Sequence, residues 1–118
     1  MISALFFLSL QGEIVLSRFY RDDVDRSVVD AFRIQVIANK EVNRPIAMID
    51  RTSFLYVRKA DMYVLAVTKA NSNPVLVFEF LFQLIRTFEA YFGAEFNENG
   101  IRNNFVVIFE LLDGHSIL

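Results

Sequence analysis

Few residues in this sequence have types and spacings suited to chemistry. His115 is the single histidine, and it has no sequence partner for a Ser-His-Asp arrangement or a metal site. Asp22, Asp23 and Asp25 form a carboxylate cluster, but they stand where acids favour a helix start, and no Gly-bearing calcium loop follows them. The four glycines are scattered, and neither G-x-x-x-x-G-K nor G-x-G-x-x-G occurs, so no phosphate-cradling loop is expected. Cysteine is absent, which removes disulfides, thiolate metal sites and a Cys nucleophile and fits a reducing compartment. Arg51, Arg58, Lys59 and Lys69 can be drawn together as a site for an acidic partner or a lipid headgroup. Basic gatekeepers on a solvated sheet edge account for them better. Tyr56 and Tyr63 would need a basic groove beside them to act as a base-stacking platform. The 12 basic and 14 acidic residues give a net charge of −2 with no long run of either sign, and this argues against nucleic acid as a partner. The reading is no enzyme, no metal and no cofactor. Interaction is what remains.

The elements that would position an interaction surface are more legible. Ile2–Leu10 reads as a strand with Ile2, Ala4, Phe6, Leu8 and Leu10 on one face and Leu5 and Phe7 on the other. A strand apolar on both faces belongs in the middle of a sheet covered by helices on both sides. Gln11-Gly12 is expected to be a two-residue hairpin turn, returning through a second strand, Glu13–Tyr20. Ser27 and Asp30 resemble a capping box for a helix running to about Lys40, with Val28, Val29, Phe32, Val36 and Ile37 as its apolar face. Ile46–Ile49 reads as a short edge strand after Pro45. Thr52–Val57 and Met62–Thr68 read as a hairpin pair joined through Arg58–Asp61.

The segment Asn73–Gly93 dominates the second half of the chain. Asn73 suits a helix cap, Pro74 the first helical position and Gly93 a left-handed terminus. Glu79, Gln83, Arg86 and Ala90, with Thr87 and Glu89, give one narrow polar stripe, and the rest is apolar. At about 20 residues the run is long enough to cross a bilayer. The charges of Glu79, Arg86 and Glu89 inside it favour a buried helix in a soluble protein. A final helix is expected from Asn97 or Asn99 to Gly114, with Ile101, Phe105, Ile108, Phe109 and Leu112 at helical spacing and Gly100 unfavourable in its first turn.

Strands joined by hairpins make an antiparallel sheet, and the order strand, strand, helix, strands, helix, helix gives one α+β domain over residues 1–118. Apolar residues make up 54% of the chain, 13 of them Phe, against about 45–50% in soluble domains on a count that includes Gly. A domain this small cannot hide all of that surface, so an apolar face for a lasting partner is expected.

Specific words then carry a resemblance. Met1–Phe6, Gln11–Asp23 (ending Tyr20-Arg21-Asp22-Asp23), Asp30-Ala31-Phe32-Arg33 and Arg51-Thr52-Ser53-Phe54 resemble the N-terminal region of clathrin adaptor medium (mu) subunits. Ala66–Asn71, Val77–Leu81, Tyr91-Phe92-Gly93 and Asn103–Asp113 continue the likeness. It is nearer to the plasma-membrane adaptor protein complex 2 than to its Golgi counterpart. The tail Gly114–Leu118 departs from the family pattern, and the loop Ala94–Gly100 is slightly long for it.

The resemblance implies a longin-like fold: a five-stranded antiparallel sheet with one helix on one face and two on the other. It also implies a non-catalytic assembly domain that docks into a large beta-type adaptor chain. The setting would be a heterotetramer with another large and a small subunit, serving clathrin-mediated endocytosis and vesicular protein transport. Location would be cytoplasmic, with only peripheral membrane association at coated pits and vesicles. The family's C-terminal cargo-binding domain is absent from these residues, so no cargo or phosphoinositide site is carried over. Phe82, Phe88 and Tyr91 on the long helix, and Ile46 and Met48 on the edge strand, are the candidate partner contacts. Another longin-fold trafficking protein, a small adaptor chain or coat subunit acting as a regulatory binding module, is the alternative.

Overall fold

A computed structural model describes residues 2–38, 46–49, 51–69 and 73–113. The expected helix end at Lys40, the loop 41–45, Gly114 and His115 lie outside the described residues. Strands β1 (Ala4–Ser9), β2 (Ile14–Phe19), β3 (Ile46–Ile49), β4 (Thr52–Lys59) and β5 (Met62–Thr68) form one sheet in the order β2-β1-β5-β4-β3. Every neighbouring pair is antiparallel. β1 sits inside the sheet, as its two apolar faces required, and all six of its residues are buried. Ala4, Phe6 and Leu8 enter one core and Leu5 and Phe7 the other. Ile2, expected on the Ala4 side, instead joins Leu5 and Phe7. It precedes the strand and escapes its alternation.

The β1–β2 turn is one residue longer than the sequence suggested. Gly12 N–H donates to the Ser9 carbonyl at 2.9 Å and Ser9 N–H to the Glu13 carbonyl at 2.8 Å, so Leu10, Gln11 and Gly12 form the loop. Gly12 takes φ +89°, which an L side chain resists. The register also slips between Phe7 and Leu8, which pair with Leu16 and Ile14. The unpaired Val15 makes a bulge. Val15 and Leu16 therefore bury into the same core, where strict alternation had put them on opposite faces.

One face of the sheet is covered by α1 (Val28–Phe32), continued by a π-helical turn over Arg33–Ile37. In that turn Ala38 N–H reaches back five residues to the Arg33 carbonyl at 2.9 Å. Val29, Phe32 and Val36 are buried there, as their spacing predicted. Phe32 is the pivot, with ring centroids 5.7 Å from Phe54, 4.9 Å from Tyr56 and 6.4 Å from Tyr63. The capping box does not form. Ser27 makes no side-chain cap; its N–H and hydroxyl both donate to the Asp25 carboxylate, while Asp30 pairs with Arg33 at 2.7 Å. An acid two residues before Ser27 outcompeted the one three residues after it.

The other face carries α2 (Pro74–Phe92), a 3₁₀ turn (Gly93–Glu95), α3 (Glu98–Arg102) and α4 (Phe105–Asp113). Asn73 caps α2 by accepting from Val75 N–H at 3.0 Å, and Gly93 ends it at φ +60°. The expected single final helix is two. Asn97 caps α3 through Gly100 N–H at 2.9 Å, and Asn104 Nδ2 donates to the Gly100 carbonyl at 2.8 Å. A side chain thus takes up a carbonyl of α3, and the chain restarts as α4.

Candidate interaction surfaces

Among the described residues, those with chemical potential do not assemble a reaction centre. No group of His, Cys, Asp and Glu able to hold a metal occurs among the described residues. Asp25 is engaged locally, and its two hydrogen bonds from Ser27 hold its carboxyl below the ordinary carboxylate value. Burial pushes the Tyr20 phenol up, opposed by Arg18 and reinforced by Asp113. Its hydroxyl is buried without a hydrogen-bond partner. The Arg18 guanidinium carbon sits over the Tyr20 ring, 5.1 Å from its centroid, and pairs with Asp113 at 2.9 Å.

The four basic residues considered together in the sequence are separated by the sheet. Arg51 and Lys69 flank one end of the β4–β5 pair, where Ser53 meets Thr68, and Arg58 and Lys59 lie at the other, where Lys59 meets Met62. Eight strand residues at about 3.3 Å each keep the two ends roughly 20 Å apart. Lys59 is occupied by Glu89 of α2 at 2.6 Å. They make no common site.

Among the described residues, large exposed apolar side chains form three groups, with Ile34 of the π-helical turn, 64% exposed, standing apart from them. On β3, Ile46 is 39% and Met48 70% exposed. A groove of about 210 Å³ separates the strand from the π-helical turn, lined by Gln35, Val36, Ala47, Ile49 and Tyr56 besides these two. On α2, Phe82 is 46% and Tyr91 61% exposed, with Val75 and Leu76 also open. The stripe of Glu79, Gln83, Arg86 and Ala90 faces solvent, so Phe82 stands beside charge. The helix is half-solvated despite its apolar girth, because only Val77, Leu81, Leu84, Ile85 and Phe88 are buried. Phe88 corrects its assignment as a partner contact. It is 0% exposed and packs on Phe7, Phe92 and Phe96 at 5.7, 6.1 and 5.6 Å. It belongs to the core.

The third place was missed as a surface. Phe105, Val106 and Phe109 of α4 are exposed, while Ile108 and Leu112 take the buried positions. The signal was available: five consecutive apolar residues, Phe105 to Phe109, point in every direction around a helix and cannot all face one sheet. No described helix is long and apolar enough to cross a membrane.

With this geometry in view, comparison with known proteins is informative. The family described as clathrin adaptor complex small chain matches residues 1–116. The chain is 46% identical over 113 residues to the AP-2 complex subunit mu of Dictyostelium discoideum, covering 96% of this chain and 26% of that protein. The AP-2 complex subunit mu of Caenorhabditis elegans is 47% identical over 114 residues, again 96% and 26%. That of Schizosaccharomyces pombe is 40% identical over 113 residues, covering 96% and 25%. The chain thus spans about a quarter of the length of these curated relatives.

Proposed function

We propose an assembly role from one premise: the chain belongs to the clathrin adaptor complex small chain family. It is a non-catalytic adaptor domain with a longin-type fold, and its sequence likeness is to AP-2 mu subunits. In the reading advanced here, it acts as the core-building domain of a medium subunit. It docks permanently into a large beta-type chain, alongside another large and a small chain. Through that assembly it serves clathrin-mediated endocytosis and vesicular protein transport, peripheral to the membrane at coated pits.

The observation that carries the reading is identity of 40–47% along 96% of the chain to three proteins named as AP-2 mu subunits. The surface is consistent with it. Ile46, Met48, Phe82 and Tyr91 are large apolar groups left open to water, and a lasting partner is one way to bury such groups. A second reading is favoured by the family's own description, which is of the small chain. A small-chain domain would choose the other type of large chain.

Co-expression separates these. With a beta-type large chain the domain is expected to become soluble and co-purify, and alone it is expected to be poorly soluble. A variant carrying Met48→Asp and Tyr91→Asp is expected to fold but to lose the complex. A well-behaved monomer at high concentration that ignores the beta-type chain sinks the medium-subunit reading. Selective capture of the other large chain installs the small-chain reading instead.

A further inference from the structure

The edge of β2 has a built flank that lies apart from Ile46, Met48, Phe82 and Tyr91, the residues read above as assembly contacts. Strand order places β2 at the end of the sheet, so among the described residues no strand pairs with its outward N–H and C=O groups. A groove of about 280 Å³ runs along this edge. Four consecutive strand residues, Ile14 to Ser17, line it together with Arg26 from the turn before α1 and Phe105 and Phe109 from α4. Val15 and Leu16 enter the core under α2–α4, whereas Ile14 packs on the α1 side and Ser17 meets Arg26. A groove touching all four therefore follows the main-chain edge itself, with a wall rising from each side.

The walls differ in chemistry. Phe105 and Phe109 form an apolar wall on the α4 side, both partly open to solvent. Arg26 forms the other. Its Nη1 donates to Ser17 Oγ at 3.3 Å, and it makes no ion pair among the described residues. Strands that must stay unpaired are guarded by a Pro, an inward charge, a free Lys, a bulge or a covering element. β2 has no Pro, and its only charge, Arg18, is tied to Asp113. Beyond the bulge at Val15, Leu16–Phe19 keep a regular register, leaving four residues able to template a neighbour.

We propose that the β2 edge accepts an extended apolar segment of a partner protein as a sixth strand, with apolar side chains against Phe105 and Phe109 and a carboxylate on Arg26. Edge main chain supplies affinity in this mode and alternate side chains supply specificity. An amphipathic helix would leave the strand's outward groups unsatisfied, and a guanidinium with no ion pair among the described residues selects an acidic segment over a basic one. The surface lies at the opposite edge of the sheet from Ile46 and Met48. It does not rest on the adaptor reading.

The test titrates the isotope-labelled 118-residue chain, kept dilute enough to stay in solution without a partner, with a capped hexapeptide, Glu-Val-Leu-Val-Leu-Thr, following backbone amide shifts and exchange. Shifts and new protection are expected over Leu16–Phe19. A version with Lys in place of Glu is expected to bind about tenfold more weakly, and Arg26→Glu to invert that preference. Phe109→Asp, at a solvent-open site that spares the core, is expected to weaken binding by about the same factor, with unchanged amide protection in β1 reporting an intact fold. Equal binding of a peptide N-methylated at alternate residues overturns strand addition. So does a shift map centred on Ile46–Ile49, or no shift anywhere. Concentration-dependent self-association that protects β2 without peptide makes the occupant a second copy and overturns the proposal equally.

Discussion

The two faces of the sheet are held by different means. One is covered by ten residues, α1 and its π-helical turn, and the other by three helices totalling several times that length. The thin side compensates by concentration. Phe32 alone touches Phe54, Tyr56 and Tyr63, and Arg33 locks the helix to the β1–β2 turn, donating from Nη2 and Nε to the Gly12 carbonyl at 2.8 and 3.3 Å. The thick side spreads its contacts over Val77, Leu81, Leu84, Phe88, Phe96, Ile101, Ile108 and Leu112. A short helix is marginal by itself, so α1 owes its existence to one aromatic cluster and one polar clamp.

The sharpest way to break this comparison is to truncate the central ring on each side. Phe32→Ala and Phe88→Ala each remove a fully buried Phe, and each is expected to cost about 3–5 kcal/mol by urea denaturation. They should differ in how the loss appears. Hydrogen exchange in Phe32→Ala is expected to show α1 opening ahead of the sheet, whereas Phe88→Ala loses protection across α2 and β1 together. Identical exchange patterns would dissolve the contrast.

Glycine replacement gives the next effect. Gly12→Ala meets a positive φ and places a Cβ 3.0 Å from Arg33 Cγ and 3.1 Å from Ile37 Cδ1. Gly93→Ala meets a positive φ with nothing within 4 Å. Backbone strain of about 1–3 kcal/mol applies to both, so Gly12→Ala is expected to lower Tm more, by the displacement of the Arg33 clamp. Equal shifts would mean that the clamp yields freely.

Caps test the same idea at helix starts. Asn73→Ala is expected to cost about 1 kcal/mol, and Ser27→Ala little as a cap, because Ser27 donates to Asp25 instead of capping α1. The Asp25 carboxyl should titrate below its ordinary range by NMR, moving up in Ser27→Ala as the hydroxyl's hydrogen bond is lost. The sign follows from a folded value lower than the unfolded one. The stabilising contribution is complete above the unfolded carboxylate range and is lost as pH falls through the folded value. Smallest is Lys59→Ala. Its pair with Glu89 ties the end of β4 to α2, but both groups are well exposed, and a change within about 0.5 kcal/mol by denaturation is expected.

Much of this protein was fixed by neighbours along the chain. The five strands, the hairpin pairings of β1 with β2 and of β4 with β5, the cap and terminus of α2, and the helical spacing of Val29, Phe32 and Val36 all rest on interactions within a few residues, where residue type decides backbone geometry. The resemblance to clathrin adaptor medium subunits was likewise carried by short words such as Tyr20-Arg21-Asp22-Asp23. Tertiary structure decided what depends on distant partners. Phe82 and Phe88 are alike in local sequence, yet one is half open and the other sealed, because the sheet lies under only one line of α2. The bulge at Val15 and the division of the last helix at Asn103–Asn104 also came from competition between local rules and the packing surface. Which edge stayed free was settled last, by the order β2-β1-β5-β4-β3. Pairing between strands far apart in sequence leaves no local mark, since each strand's pattern records only that its faces are covered and not what lies beside it.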